Sequence, residues 1–467
     1  MSSVIAQKIP NPPGIPILGN IFNVNPNETW NSLIKLSQQY GPIFKINVLG
    51  KQLVFISNVE LLEEICDQRR FRKLVTGPIV EMRQLAHNCL FTAYDNEEIW
   101  GVSHRIMAPY VTKAGTDRVF EDMAKVIPDL TNKWTSGMKK RVLFTSDLSR
   151  LLMSSVMQCF YNQRIEILEG PEHPLIHAWE SITLEAMKRP TRPAILNKLF
   201  YESGFQKNIK LMRDYAEDIV KTRKDNPSQS RDDLLNALLN NTDPKTGEKL
   251  NHSQVIDETI TMFIGAATAP NLVSFALYYL VKNPEKLVKA RAEIHTVVGP
   301  NGNIQLEHFS ELQYCEAIVR ESLRLSATAP GFNIEPISTE SKEPVLLAGG
   351  KYEVPHNQGM ISILYTVNRD PKVFEDPEAF IPERVLGEKW DQLPKGARKG
   401  FGNGKRECYG TMWAWRWSIF VLASIVKDVD FEFEDPDYAL DTNGAFSVKP
   451  LNLYGLVTPR NSYTIPT

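Results

Sequence analysis

One segment, NHSQVIDETITMFIGAATAPNLVSFALYYLVKNP (Asn251 to Pro284), restricts the folds open to this chain more than any other. It has helical character and is apolar on most faces. A surface helix would keep one wet face, so this one belongs at the centre of an α-rich fold. Pro270 lies inside it. Its missing N–H leaves the carbonyl of Ala266 without a partner, so a kink is expected there. The longest uninterrupted apolar runs, such as Leu272 to Val281, fall short of the ~20 residues a bilayer crossing needs. No membrane-spanning segment is expected.

The rest of the pattern can surround such a helix. From about Val59 to Gly302 the periodicity is mostly helical, with polar breaks at DNPSQSRDD and NNTDPKTGEK. Four prolines (10, 12, 13 and 16) make the start an extended lead-in. A helix in ETWNSLIKLSQQYG stops at Gly41. IFKINVLGKQLVFIS then reads as a hairpin about Leu49-Gly50, a small β-rich subregion at about 41–58. EPVLLAGGKYEVPHN suggests a second hairpin about Gly349-Gly350. A helix is expected at about Tyr409 to Val426, and the tail reads as strands and turns. The fold class is mostly α with a minor β region.

At 467 residues the chain exceeds the usual single core of ~250–300 residues, so it forms either one large fold with subregions or two domains. A net charge of −2 creates no global field for nucleic acid or anionic membrane. The five cysteines (66, 89, 159, 315 and 408) are scattered, odd in number and without a CxxC pair. That argues against a disulfide framework or zinc site and fits a reducing compartment. The N-terminus lacks a signal peptide pattern. A soluble, cytoplasmic protein is expected.

The chemistry concentrates in FGNGKRECYG, Phe401 to Gly410. A helix beginning near Tyr409 would aim its free N–H groups and positive dipole end at the Cys408 sulfur and lower its thiol pKa. Gly402, Gly404 and Gly410 allow close approach of something flat and bulky. Arg406 and Lys405 can meet carboxylates, and Phe401 can cover the sulfur. Together these suit a thiolate ligating a haem iron, with a base on a propionate. The plain alternative is a free cysteine in a solvated basic loop. Phe401, the glycines and the following helix, all in register, favour the ligand.

This loop resembles that of the cytochrome P-450 family, Phe-x-x-Gly-x-Arg-x-Cys-x-Gly, at Phe401, Gly404, Arg406, Cys408 and Gly410. The resemblance implies one haem domain over 1–467, with haem b between the long central helix and the cysteine loop. Glu321 and Arg324, one turn apart in YCEAIVRESLRLS, would join Arg384 of FIPERV in a buried network. Trp100 and His104 would contact propionates, with Lys73 as a further candidate. In the central helix, Gly265 and Thr268 match the oxygen-activating signature. Thr268 would hydrogen-bond iron-bound oxygen or a water. Ala267 stands where the family carries an acid, and Ile264 would narrow the site. The freed carbonyl at Pro270, with a local water, would replace part of the missing relay.

SFALYYLVKNPEKL, LAHNCLFTAYDNEEIW and FGNGKREC are similar to the haem domain of self-sufficient fatty-acid hydroxylases of bacteria and fungi. By that likeness Phe91, Thr328, Ala329, Pro330 and Phe446 would line the pocket. Lys51 and Phe55 stand where those relatives hold a fatty-acid carboxylate with a base and a tyrosine. Phe55 lacks the hydroxyl, so a bulkier apolar metabolite is an equal expectation. Such relatives carry a fused flavin reductase. This chain shows no reductase domain or Gly-rich nucleotide site, so FMN, FAD and NADPH would act only through a reductase, fused in the full-length protein or separate. A basic loop with Lys395, Arg398, Lys399 and Lys405 would attract it.

The implied function is a haem-thiolate monooxygenase inserting one oxygen atom from O2 into a hydrophobic substrate. The thiolate would push electron density to favour O–O cleavage. Two alternatives stand. Without an acid at 267, a haem-thiolate enzyme could use peroxide, rearrange an oxygenated substrate or couple radicals. A non-enzymatic haem protein could bind a small ligand.

Overall fold

In the computed structural model, which describes residues 6–48, 50–338, 343–443 and 446–460, the central apolar segment is two helices rather than one. The helices that shape the site are α1 (Thr29–Tyr40), α2 (Ile99–Val111), α3 (Phe144–Tyr161), α4 (His252–Gly265), α5 (Ala269–Lys282), α6 (Gln313–Leu325) and α7 (Thr411–Asp428). Asn251 and Gln254 form a reciprocal capping box that starts α4. Residues 266–268 then leave the helix, and α5 restarts at Ala269. Pro270 thus sits in the first turn of a new helix, where its missing N–H costs nothing. The expected kink at Pro270 is realised as a full break just upstream.

Every residue of α5 from Ala269 to Leu277 is buried, and the helix packs on α3, α6 and α7. By length and composition the pair His252–Lys282 is long and apolar enough to cross a membrane, which counting unbroken apolar runs did not show. Its most apolar window is 67% buried inside the fold.

The β parts frame this bundle. Strands β1 (Ile43–Val48) and β2 (Lys51–Ile56) pair from Ile43 with Ile56 to Val48 with Lys51. Gly50 adopts the left-handed φ of 81° that the tight turn demands, while Leu49 lies outside the described residues. Strands β3 (Phe71–Lys73) and β4 (Lys140–Leu143) were too short to be read from the pattern. β5 (Asn333–Pro336) and β8 (Gly359–Ser362) complete a five-stranded sheet, ordered β1-β2-β8-β5-β3. The second expected hairpin is β6 (Val345–Leu347) with β7 (Tyr352–Val354). In the tail, β9 (Val429–Phe433) and β10 (Tyr454–Pro459) pair with each other, and β10 with β4.

The network expected in α6 is present and buried. Glu321 accepts two 2.7 Å bonds from Arg324 and a 3.0 Å bond from the Ile381 N–H. Arg384 Nε lies 3.2 Å from the same carboxylate. Arg324 also donates to the carbonyls of Asn368, Pro377 and Ala379. Buried charges are tolerated only when satisfied in this way. The same helix carries Leu323, which lies so close to Gly400 that an added Cβ there would meet it at 2.8 Å. The network therefore anchors the helix against which the cysteine loop rests.

Removing one partner leaves the other charge buried and alone. Glu321→Ala should cost about 3–5 kcal/mol in denaturant titrations, and the Glu321→Ala, Arg324→Ala pair much less than the sum of the two single changes.

Candidate active site

The cysteine loop is held in shape by its neighbours before any ligand is considered. The Cys408 N–H donates to the Phe401 carbonyl at 2.7 Å. The Lys405 N–H donates to the Gln68 side chain, and Asn403 to the Cys66 carbonyl. Gly404 has φ 60° and approaches Gln68 so closely that a Cβ would lie 2.1 Å from it. Only glycine meets both demands. At Gly410 the opposite holds: a Cβ would meet nothing within 4 Å, so the wall beside Cys408 is open. Phe401 stands edge-on to Trp415, with ring centres 5.8 Å apart.

Cys408 is accessible, but to an interior cavity of about 1170 Å³. The helix expected from Tyr409 begins at Thr411. The expected lowering of the thiol pKa is overturned. Burial raises it, and the Gly410 N–H and Thr411 hydroxyl pull it back only in part. A thiolate here needs a cation against the sulfur, which an iron ligand provides.

The cavity edge carries the other half of the requirement. The Arg406 side chain, 5% exposed, donates to the Ala93 carbonyl at 2.7 Å and stacks over Trp100. Lys73 donates to the Phe91 carbonyl at 2.6 Å. Burial and the nearby Arg406 charge bring its pKa down to about 7. His104 lies between Trp100 and Tyr409, ring centres 5.0 and 5.2 Å away, and burial lowers its pKa too. Asp95 lies 3.8 Å from Arg406, but Lys405 holds it at 2.9 Å. Buried bases facing an open wall suit a flat group with two carboxylates, so the residues present fit haem b. Lys405 and Arg398 are paired with Asp95 and Asp391, which weakens the basic loop as a steering surface.

The α4–α5 break borders the same cavity as Cys408. Ile264, Gly265, Ala267 and Thr268 all border it. The Thr268 hydroxyl donates to the Gly265 carbonyl at 3.4 Å. The Ala267 carbonyl takes the Ser447 hydroxyl at 3.4 Å, a contact that nothing in the local sequence announces. Phe91 and Phe446 meet edge-on at 5.8 Å, and Thr328, Ala329 and Pro330 complete that wall. Lys51 is exposed at the hairpin. Phe55 corrects the expectation of an entrance residue. It borders the cavity but is 2% exposed and stacked on Phe44 at 5.1 Å, in a small core beneath α1.

Sequence reasoning missed Glu258, although an Asp257-Glu258 pair in an apolar helix was a visible signal. Asp257 takes His87 at 3.0 Å and Arg213 at 2.7 Å. Glu258 is 1% exposed and accepts the Leu90 N–H at 2.9 Å, tying α4 to the loop that carries Phe91.

The chemistry that such a sulfur, with bases at the edge and an apolar cavity above, can serve is haem ligation through a thiolate. The family model described as Cytochrome P450 matches residues 9–456, and the chain belongs to that family. It is 34% identical, over 96% of its length, to the bifunctional cytochrome P450/NADPH–P450 reductase ascE of Acremonium egyptiacum. It is 34% identical over 98% of its length to the self-sufficient cytochrome P450 monooxygenase CYP505E3 of Phanerodontia chrysosporium. To CYP505AG1 of Oidiodendron maius, also named self-sufficient, it is 36% identical over 96%. The chain spans 43%, 43% and 42% of the length of these relatives.

Burial pushes the Glu258 carboxyl up to about 7. The fold therefore holds this proton more tightly than the unfolded chain does. Stability should fall as pH rises from about 4.5 to about 7 and level off above, by roughly 3 kcal/mol from this group. Denaturant titrations of Glu258→Gln against the parent, across that range, should show this part of the slope gone.

Proposed function

We propose that this chain is the haem domain of a monooxygenase that inserts one oxygen atom from O2 into a hydrophobic substrate. Electrons come from NADPH through a flavin reductase, fused or separate. The observation that carries this reading is that Cys408 and a broken helix with Thr268 border one largely apolar cavity. The names of the relatives, which couple a P450 to an NADPH–P450 reductase, support the electron source. The family match over 9–456 supports a single haem domain. A cytoplasmic location belongs to the same reading, supported by cysteines that are all free.

Haem bound here would supply oxygen activation, which a thiolate ligand favours by donating electron density. The chain's own residues do the rest. Cys408 would hold the iron, and Arg406, Lys73 and His104 would hold the propionates. Phe91, Phe446 and Ala329 give the cavity an apolar wall that would exclude water from a bound substrate. Thr268 would hold a proton at its hydroxyl, which borders the cavity. Phe55, locked on Phe44, offers no hydroxyl for a carboxylate, so the pocket suits a bulkier apolar metabolite at least as well as a fatty acid.

Two measurements test this. With labelled oxygen gas, the reductase and NADPH, the label should enter product. Unlabelled product would move the chain to peroxide use, rearrangement or radical coupling. No turnover above free haem would leave a ligand-binding protein. Thr268→Ala should cut product formed per NADPH by about tenfold, with peroxide released instead.

A further inference from the structure

A second cavity of about 220 Å³ adjoins the first at the α4–α5 break. Ala266, Ala267 and Ser447 border both. Its outer end carries Glu180 and Lys449, which pair with each other while their side chains remain 48% and 26% exposed. Its inner end carries the buried Asn271 in contact with the half-buried Ser447. Asn271 donates to the Ser447 hydroxyl oxygen at 3.0 Å, and that hydroxyl donates to the Ala267 carbonyl at 3.4 Å.

Each of these features is costly or odd taken alone. Asn271 is 4% exposed in a mostly apolar helix, where an amide is tolerated only when bonded. The break opens the helix at the position where the family's acid is replaced by alanine. The cavity has room for several waters, at ~30 Å³ each, and Ser149, Thr183 and Asn443 give them further partners. After its bonds to Asn271 and Ala267, the Ser447 oxygen keeps one lone pair for a water.

We propose that the second cavity is a water route bringing protons to the break, in place of the carboxyl group absent at Ala267. Ser447 is the hydroxyl at its inner end, and Asn271 is the positioning residue that orients it. A proton enters from bulk water at the Glu180–Lys449 mouth and passes along the waters. Ser447 accepts it on its remaining lone pair as its own O–H swings from the Ala267 carbonyl to a water on the Thr268 side, and the hydroxyl turns back after the transfer. The hydroxyl is unchanged after each transfer, and Asn271, an amide, only holds it in line. The inference rests on the monooxygenase reading.

Two variants separate the route from simple damage. Ser447→Ala removes the hydroxyl. Ser149→Leu fills the second cavity from α3 at a residue that does not border the first. Both are studied as haem-loaded protein with reductase, and the ferrous carbon monoxide spectrum verifies the thiolate bond. Should Ser149→Leu lack that spectrum, the smaller Ser149→Val takes its place. Both variants should raise the peroxide-to-product ratio several-fold. In the substrate-free protein without reductase, the cavity-filling change should slow deuterium uptake by the amides of 266–268 several-fold. Unchanged peroxide ratio and unchanged uptake, with the thiolate spectrum intact, overturn the proposal. A parent protein that makes no labelled product ends the monooxygenase reading. Even then the exchange result decides the water route: slowed uptake supports it, and unslowed uptake overturns it.

Discussion

The carboxylate of Glu321 is completely removed from water, and the architecture around the site follows from keeping it satisfied. An unpaired charge at that depth would cost more than most single contacts return. The fold answers with Arg324, Arg384 and the Ile381 N–H. Arg324 in turn ties down three carbonyls between Asn368 and Ala379. The result is a rigid block formed by α6 and the stretch that leads to the cysteine loop. Loops rarely hold a reactive atom in place unaided, and here a buried ion network supplies the stiffness.

That stiffness allows two unfavourable arrangements to persist. The Cys408 thiol sits where burial resists its ionisation. Lys73 and Arg406 sit where burial resists their charge. Each disfavours the isolated protein, and each is relieved by one ligand that brings iron to the sulfur and carboxylates to the bases. Opposed electrostatic penalties on two sides of a cavity describe its occupant more sharply than shape does.

The α4–α5 break shows what pattern reading could and could not reach. Pro270 was legible as a disturbance, because a missing N–H is a property of the residue itself. Its outcome was not. Whether a helix bends through a proline or stops and restarts depends on what receives the freed groups. Here the chain stops, and the neighbouring Ala267 carbonyl is taken by Ser447, 180 residues downstream in the tail. Phe55 makes the same point. Alternation placed it correctly on a strand, but its partner Phe44 was visible only once the hairpin register was set. Glu258 was read as one more residue of a long helix, since burial is not a local property.

The sequence by itself determined the class of the protein. The loop from Phe401 to Gly410, the Glu321–Arg324 spacing and the apolar central segment are short-range patterns, and short-range patterns carry residue chemistry and helical period directly. It also determined the hairpins, through their turn residues. Tertiary structure alone decided which charges are buried together, how the sulfur responds to its surroundings, and where a second cavity meets a broken helix. Those properties arise from solvent exclusion and contacts between distant segments, and neither exists until the chain has closed on itself.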